Sequence, residues 1–271
     1  MRETAYESVR YRPAELQHHY GPNVHLLADP VMLTQLARLS RPETLQPDIT
    51  WLMRDIYETL VRIVIANELP CRKAEVRTRM FASTPNGVWS GSLIDPSTKV
   101  VTVGIARAGT LPSQIAFEAL TRMLEPDCVR QDHLYMHRVT DEVGVVQGVS
   151  IDGSKIGGDV HQAVVLFPDP MGATGGSMAR AMTLYRQMEG GPPAKLVAVH
   201  LIVTPEYLKK LKDTHPDAQV YAVRLDRGMS APEILKTELG ARWSDERGLN
   251  EKQYIVPGAG GLGEILNNSY V

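Results

Sequence analysis

The stretch AVVLFPDPMGATGGSMARAM, residues 163–182, decides how this chain folds. Residues 163–167 form an unbroken apolar run, as a strand covered on both faces requires. Asp169 follows at its end, then a loop of small residues, then a helical pattern over 175–188. A strand that delivers an acid into a glycine loop and then a helix builds an anion site. Gly172, Gly175 and Gly176 let main-chain N–H groups approach an anion closely, Thr174 and Ser177 add hydroxyl donors, and the helix start adds the positive end of its dipole. The Asp169 carboxylate can accept hydrogen bonds from vicinal ribose hydroxyls. No Lys follows the glycines, so this is not a Walker loop. An acid ahead of the loop suits a phosphorylated sugar better than a nucleoside triphosphate. The plain alternative is a glycine-rich turn that holds nothing.

Outward from this stretch, short β-branched runs alternate with helical ones: 99–106 then 113–124, 196–203 then 206–212, and finally 219–225. The expected architecture is an α/β fold with a doubly wound, mostly parallel sheet, whose ligands bind at the carboxyl ends of the strands. Upstream, Trp51, Leu52, Ile56, Leu60, Ile63 and Val64 recur at three- and four-residue steps and predict an amphipathic helix over Asp48–Glu68, with Pro70 just beyond it. Residues 1–25 are polar and weakly periodic and read as an N-terminal helical arm, with 26–271 as a single domain. Asn86-Gly87 beside Val88 predicts a hairpin or flap. Residues 144–159, with Gly148, Gly153, Gly157 and Gly158, read as irregular. Residues 227–249 interrupt the α/β pattern as an insertion with room for a short helix.

Composition bounds the function classes. The chain has 271 residues, 43% hydrophobic and 22% charged, with a net charge of −2. Its basic residues are scattered, without the patch that nucleic-acid binding requires. Two cysteines, Cys71 and Cys128, are too few for a disulfide framework. No apolar leader opens the sequence and no apolar run reaches the roughly 18 residues of a membrane helix. These features predict a cytoplasmic protein with no membrane partner. His133 and His137 could share one face of a helix, but no third ligand lies near, so no metal site is expected. Gly258 to Gly263 fits GxGxxG, yet eight residues follow it, too few for a dinucleotide-binding βαβ unit.

The motif DPMGATGGS, residues 169–177, resembles the loop for 5-phosphoribosyl 1-diphosphate (PRPP) in uracil phosphoribosyltransferases, a branch of the type I phosphoribosyltransferase family. Pro170 in place of a second acid marks that branch, and Gly172 stands where it usually carries Leu. Further matches occur in the same order, over about residues 25–265: VGIARAGT at 103–110, YMHR at 135–138, THPDAQVYAVRLD at 214–226 and GLNEKQYIVPG at 248–258. The resemblance implies the type I fold and the formation of UMP and diphosphate from uracil and PRPP, in a homodimer or higher homo-oligomer. It implies PRPP contacts from Arg107, Arg138, Asp169, Pro170, Met171, Gly172, Ala173, Thr174, Gly175, Gly176 and Ser177, with Mg²⁺ bound through PRPP. Asp169, Arg107 and Arg138 are the implied catalytic residues, since forked guanidinium groups suit a diphosphate leaving group. Uracil would be read by main-chain groups around Tyr254, Ile255 and Gly260, beside Gly261 and Leu262.

The chain departs from that pattern in places. Gly261 replaces an Asp and Leu262 an Ala, leaving Glu264 as the nearest acid. Thr110-Leu-Pro-Ser-Gln114 replaces an Asp-bearing helix start. Two other readings stay open here: a PRPP- or UMP-binding regulatory protein with little catalysis, and a transferase for another base.

Overall fold

In the computed structural model, residues 4–140 and 146–270 are described; at 138–140, 146, 147 and 149 the backbone alone is described. Ten strands occur among these residues: β1 (Val24–Leu26), β2 (Cys71–Arg77), β3 (Val88–Ile94), β4 (Val100–Ala106), β5 (Val129–Thr140), β6 (Val146–Lys155), β7 (Val164–Pro168), β8 (Met171–Gly172), β9 (Lys195–Val203) and β10 (Gln219–Leu225). The helices are α1 (Pro30–Leu39), α2 (Asp48–Glu68), α3 (Thr110–Thr121), α4 (Gly176–Arg186), α5 (Pro205–Thr214), α6 (Pro232–Leu235) and α7 (Leu262–Ile265).

The main sheet runs β1-β10-β9-β7-β4-β5-β6, with β8 also paired to β9. All its pairs are parallel except β5 with β6. The strand order reverses between β4 and β7. From β4 the chain passes through α3 to β5 on one side; from β7 it passes through α4 to β9 on the other. A doubly wound sheet opens its ligand crevice at such a reversal. The apolar runs are continuous because both faces are covered. Along β9, Val197, Val199 and Leu201 join α1, α2 and α3 in one core, while Leu196, Ala198 and Val203 join α4 and α5 in the other.

α2 spans the expected residues and buries Leu52, Met53, Ile56, Tyr57, Leu60, Val61 and Val64. Trp51, counted into the apolar stripe, is instead 63% exposed. It stands on the helix's outer side, next to the buried row at 49, 52, 53 and 56. The hairpin expected at Asn86-Gly87 forms between β2 and β3, but Arg77 pairs with Val88 and the turn takes in all of 78–87, including a 3-10 turn at Arg79–Ala82. Among the described residues of the arm, expected to be helical, the helical structure is one 3-10 turn at Ala5–Ser8.

Two readings need correction. The stretch read as irregular is largely the edge strand β6, antiparallel to β5; Gly144 itself lies outside the described residues. Its glycines and two register shifts, at Tyr135/Met136 and Val139/Thr140, mask the two-residue period. His133 and His137 lie on β5, not on a helix, roughly 13 Å apart along the strand at ~3.3 Å per residue, and do not converge.

The arm and the insertion close on each other. Glu246 is 1% exposed and accepts hydrogen bonds from the Tyr20 hydroxyl, the Arg227 guanidinium and the Gly240 N–H. Among the described residues no helix is long and apolar enough to cross a membrane. Leu60 on α2 is fully buried beneath the sheet. Leu60→Ala is expected to cost about 2–5 kcal/mol of unfolding free energy, through lost apolar burial and a residual cavity, read from urea denaturation.

Candidate active site

The ends of β4 and β7 are neighbours, and each hands its loop to the crevice. β7 runs into Asp169, whose N–H donates to Val199 O at 3.0 Å. β9 binds the loop that follows. Leu201 and Ile202 N–H donate to Pro170 O at 3.1 Å, Thr204 N–H donates to Gly172 O at 3.1 Å, and the Thr204 hydroxyl donates to Ala173 O at 2.6 Å. With its carbonyls tied down, the loop leaves the N–H groups of Thr174, Gly175 and Ser177 without partners among the described residues. These donors sit where α4 begins, so the expected anion cradle is present as geometry.

Gly175 is the residue on which that cradle turns. It caps α4 in the left-handed region at φ +79°, and a methyl group there would stand 2.9 Å from Lys210 Cβ. Gly172 has a different cause. Its φ is not positive; a methyl there would stand 3.0 Å from both Tyr207 Cδ2 and Val203 Cγ1. The Tyr207 ring fills the space that a Leu at 172 would need.

Tyr207 serves a second end. His200, fully buried on β9, bridges the Asp169 carbonyl at Nδ1 (2.5 Å) and the Tyr207 hydroxyl at Nε2 (2.6 Å). A carbonyl can only accept, so Nδ1 carries the proton and Nε2 accepts from Tyr207. Burial pushes the His200 pKa down to about 4, which keeps the ring neutral. No sequence signal marks this pair, because one His in an apolar strand reads as core.

The Asp169 carboxyl faces a cleft of about 720 Å³. No described residue hydrogen-bonds to it. Burial pushes its pKa up to about 7. Arg107, Met171, Ala173, Tyr254, Ile255, Gly260, Gly261, Leu262 and Glu264 line the same cleft. Residues from 106 to 264 in the sequence thus meet at one place. Arg107 is exposed, and its guanidinium donates to the Ser269 carbonyl and hydroxyl, both at 3.0 Å. Arg138 pairs with Val149 across β5 and β6, and its side chain lies outside the described residues.

The segment 248–258 forms a self-bonded loop beside the end of β10. Asp226, 2% exposed, accepts from Arg224 at 2.6 and 2.8 Å and from Gly258 N–H at 2.8 Å, anchoring the loop's far end. Tyr254 N–H donates to Asn250 Oδ1 and Tyr254 O accepts from Asn250 N–H, both at 3.0 Å. Of the residues expected to read a base, Tyr254 therefore spends its main-chain groups inside the loop. The N–H and C=O of Ile255 have no hydrogen-bond partner among the described residues. Among those residues, too, no three His, Cys, Asp or Glu side chains converge as metal ligands.

The sequence model of the uracil phosphoribosyltransferase family matches residues 25–242. A uracil phosphoribosyltransferase of Streptococcus thermophilus (strain CNRZ 1066) is 28% identical over 241 residues, covering 89% of this chain and 96% of the relative. One from Clostridium botulinum (strain Hall) is 27% identical over 240 residues, covering 89% and 95%. Among solved structures, the AQ2163 protein from Aquifex aeolicus aligns with a TM-score of 0.69 at 22% identity, over 92% of this chain and 99% of that one, which shows a common fold.

Two outcomes follow from the geometry. Gly175→Ala is expected to lower stability by roughly 1–3 kcal/mol, from the positive φ and the crowding against Lys210, seen in thermal or urea unfolding. The Asp169 pKa is raised in the folded state, so the group favours folding below the unfolded value of about 4 and that contribution is lost as pH rises toward 7. Asp169→Asn should melt with the wild type near pH 4 and above it at pH 8. Equal melting temperatures at both values would refute the burial of this carboxyl.

Proposed function

This chain belongs to the uracil phosphoribosyltransferase family, and from that premise we propose that it is a pentosyltransferase forming UMP and diphosphate from uracil and PRPP. One observation carries the reading: an acid-and-glycine loop, an arginine loop and a main-chain-rich loop, far apart in sequence, line a single cleft at the reversal point of the sheet.

In this assignment the free N–H groups of Thr174, Gly175 and Ser177, with the Thr174 and Ser177 hydroxyls, hold the 5′-phosphate. Asp169 accepts hydrogen bonds from the ribose hydroxyls, its backbone held by Val199 and His200. Arg107, and Arg138 from the β5–β6 pair, take the diphosphate; Arg107 exchanges its two Ser269 acceptors for phosphate oxygens. Ile255 and Gly260 offer main-chain groups to the alternating donors and acceptors of uracil. A rigid main-chain edge discriminates strongly, because an analogue lacking one group leaves a buried partner unpaired. The base nitrogen attacks ribose C1 as diphosphate departs, through an oxocarbenium-like state that needs no covalent nucleophile. The protein's contribution is positioning and stabilisation of leaving-group charge. Asp169 and Glu264 both face the cleft without partners among the described residues, a donor set that suits a hydrated Mg²⁺ arriving on PRPP, where it would neutralise diphosphate charge. Cytoplasmic location and a homo-oligomeric state belong to the same proposal.

Incubation with uracil, PRPP and Mg²⁺ should yield UMP, detected chromatographically. Tight PRPP or UMP binding without product would instead identify a binding protein, and turnover with a different base would reassign the substrate. Asp169→Ala should lower kcat by about 100-fold or more with the fold intact by circular dichroism, the scale expected when a group aimed at the reacting sugar is removed. Near-normal turnover in that variant would remove Asp169 from the mechanism.

A further inference from the structure

Glu264 is the acid among the described C-terminal residues that line the cleft. It lies on α7, which Leu262 anchors in the core at 2% exposure. Its main chain is engaged: the N–H donates to Gly261 O at 3.0 Å and the carbonyl accepts from Ser269 N–H at 3.1 Å. Its side chain makes no hydrogen bond or ion pair with any described residue. The nearby cation does not neutralise it, because Arg107 is turned to Ser269.

Gly261 explains the position of this carboxylate. Its backbone is at φ −82°, where any residue is comfortable, so conformational freedom is not what a glycine supplies here. Space is. A methyl group on residue 261 would stand 2.5 Å from Glu264 Oε2. A side chain at 261 would push the Glu264 carboxylate out of its present place in the cleft; with glycine there, Glu264 occupies it. One residue away, a methyl on Gly263 would be 3.4 Å from Ala108 Cβ, so α7 packs on the loop that carries Arg107.

A lone carboxylate beside a diphosphate-binding arginine repels a polyanionic substrate unless a cation lies between them. We propose that Glu264 is a substrate-facing carboxylate that receives the divalent cation riding on the diphosphate of PRPP, in a space left open by the glycine at 261. The inference rests on the transferase reading above and adds to it a residue and a reason for Gly261.

The test is calorimetric titration of PRPP into the full chain, with Mg²⁺ and with EDTA, for wild type, Glu264→Gln, Glu264→Ala and the double variant Gly261→Asp/Glu264→Ala. Both Glu264 variants should bind PRPP about tenfold or more weakly with Mg²⁺, the scale of one lost charged contact, and should match wild type in EDTA. The double variant should regain much of the Mg²⁺-dependent affinity, since its new carboxylate grows into the vacated space. The KM for uracil should move far less than that for PRPP, which general loosening of the cleft would not produce. If Glu264→Gln, folded by its melting curve, keeps the wild-type gain in affinity from Mg²⁺, the role given to Glu264 is wrong. A wild-type chain that binds no PRPP with Mg²⁺ overturns the transferase reading and this inference together.

Discussion

The candidate site depends on how β9 grips the loop leaving β7. A loop that must offer free N–H groups to an anion cannot also hold its own shape by ordinary turn bonds, so its carbonyls carry the restraint. Leu201, Ile202 and Thr204 supply it with their N–H groups, and His200 and Thr204 with their side chains. Since β9 is buried on both faces, that restraint is as rigid as the core itself. The left-handed glycine and the desolvated acid are held by this arrangement, the acid at a cost to stability of the kind functional sites impose.

The opposite wall follows the same logic with different parts. Asp226, at the end of β10, fixes Gly258 and Arg224, and the loop before it satisfies itself through Asn250. What stays unsatisfied belongs to Ile255, a residue that lines the cleft. Both walls therefore present main-chain polarity by exhausting other partners elsewhere, rather than by placing flexible side chains at the ligand. Such surfaces recognise shape and hydrogen-bond order with little entropy to lose.

Much of this was legible in advance. The apolar run at 163–167 ending in Asp169, and the alternation of strands and helices around it, expose the parallel sheet, because burial on both faces leaves an unambiguous pattern. The helix over Asp48–Glu68 is legible from its period alone, although the period could not say that Trp51 falls outside the buried row. The strand β6 was missed because edge strands tolerate glycine and bulges, which read locally as loop. Roles that arise from distant pairs were not readable. Nothing near His200 announces that Tyr207 and Asp169 flank it, and nothing near Gly172 announces the ring that excludes a larger residue. The Glu264 carboxylate was visible as an acid near a changed position; its overlap with the space above Gly261 is a fact of three dimensions only.

The bond between Tyr20 and Glu246 joins residues 226 positions apart, and β1 likewise waits for β10. On the ribosome, Ala5–Ser8 can meet the β2–β3 hairpin early, through Glu7 with Lys73 and Ser90, but Tyr20 and β1 emerge long before their own partners are made. Until β10 is made, β1 lacks its parallel partner and the far edge of β9 stays open; until Glu246 is made, the Tyr20 hydroxyl lacks its acceptor. Closure of this molecule is thus a late, long-range event, and a nascent chain stalled before the insertion would carry an unpaired strand edge, the kind of surface that recruits chaperones or other stalled chains.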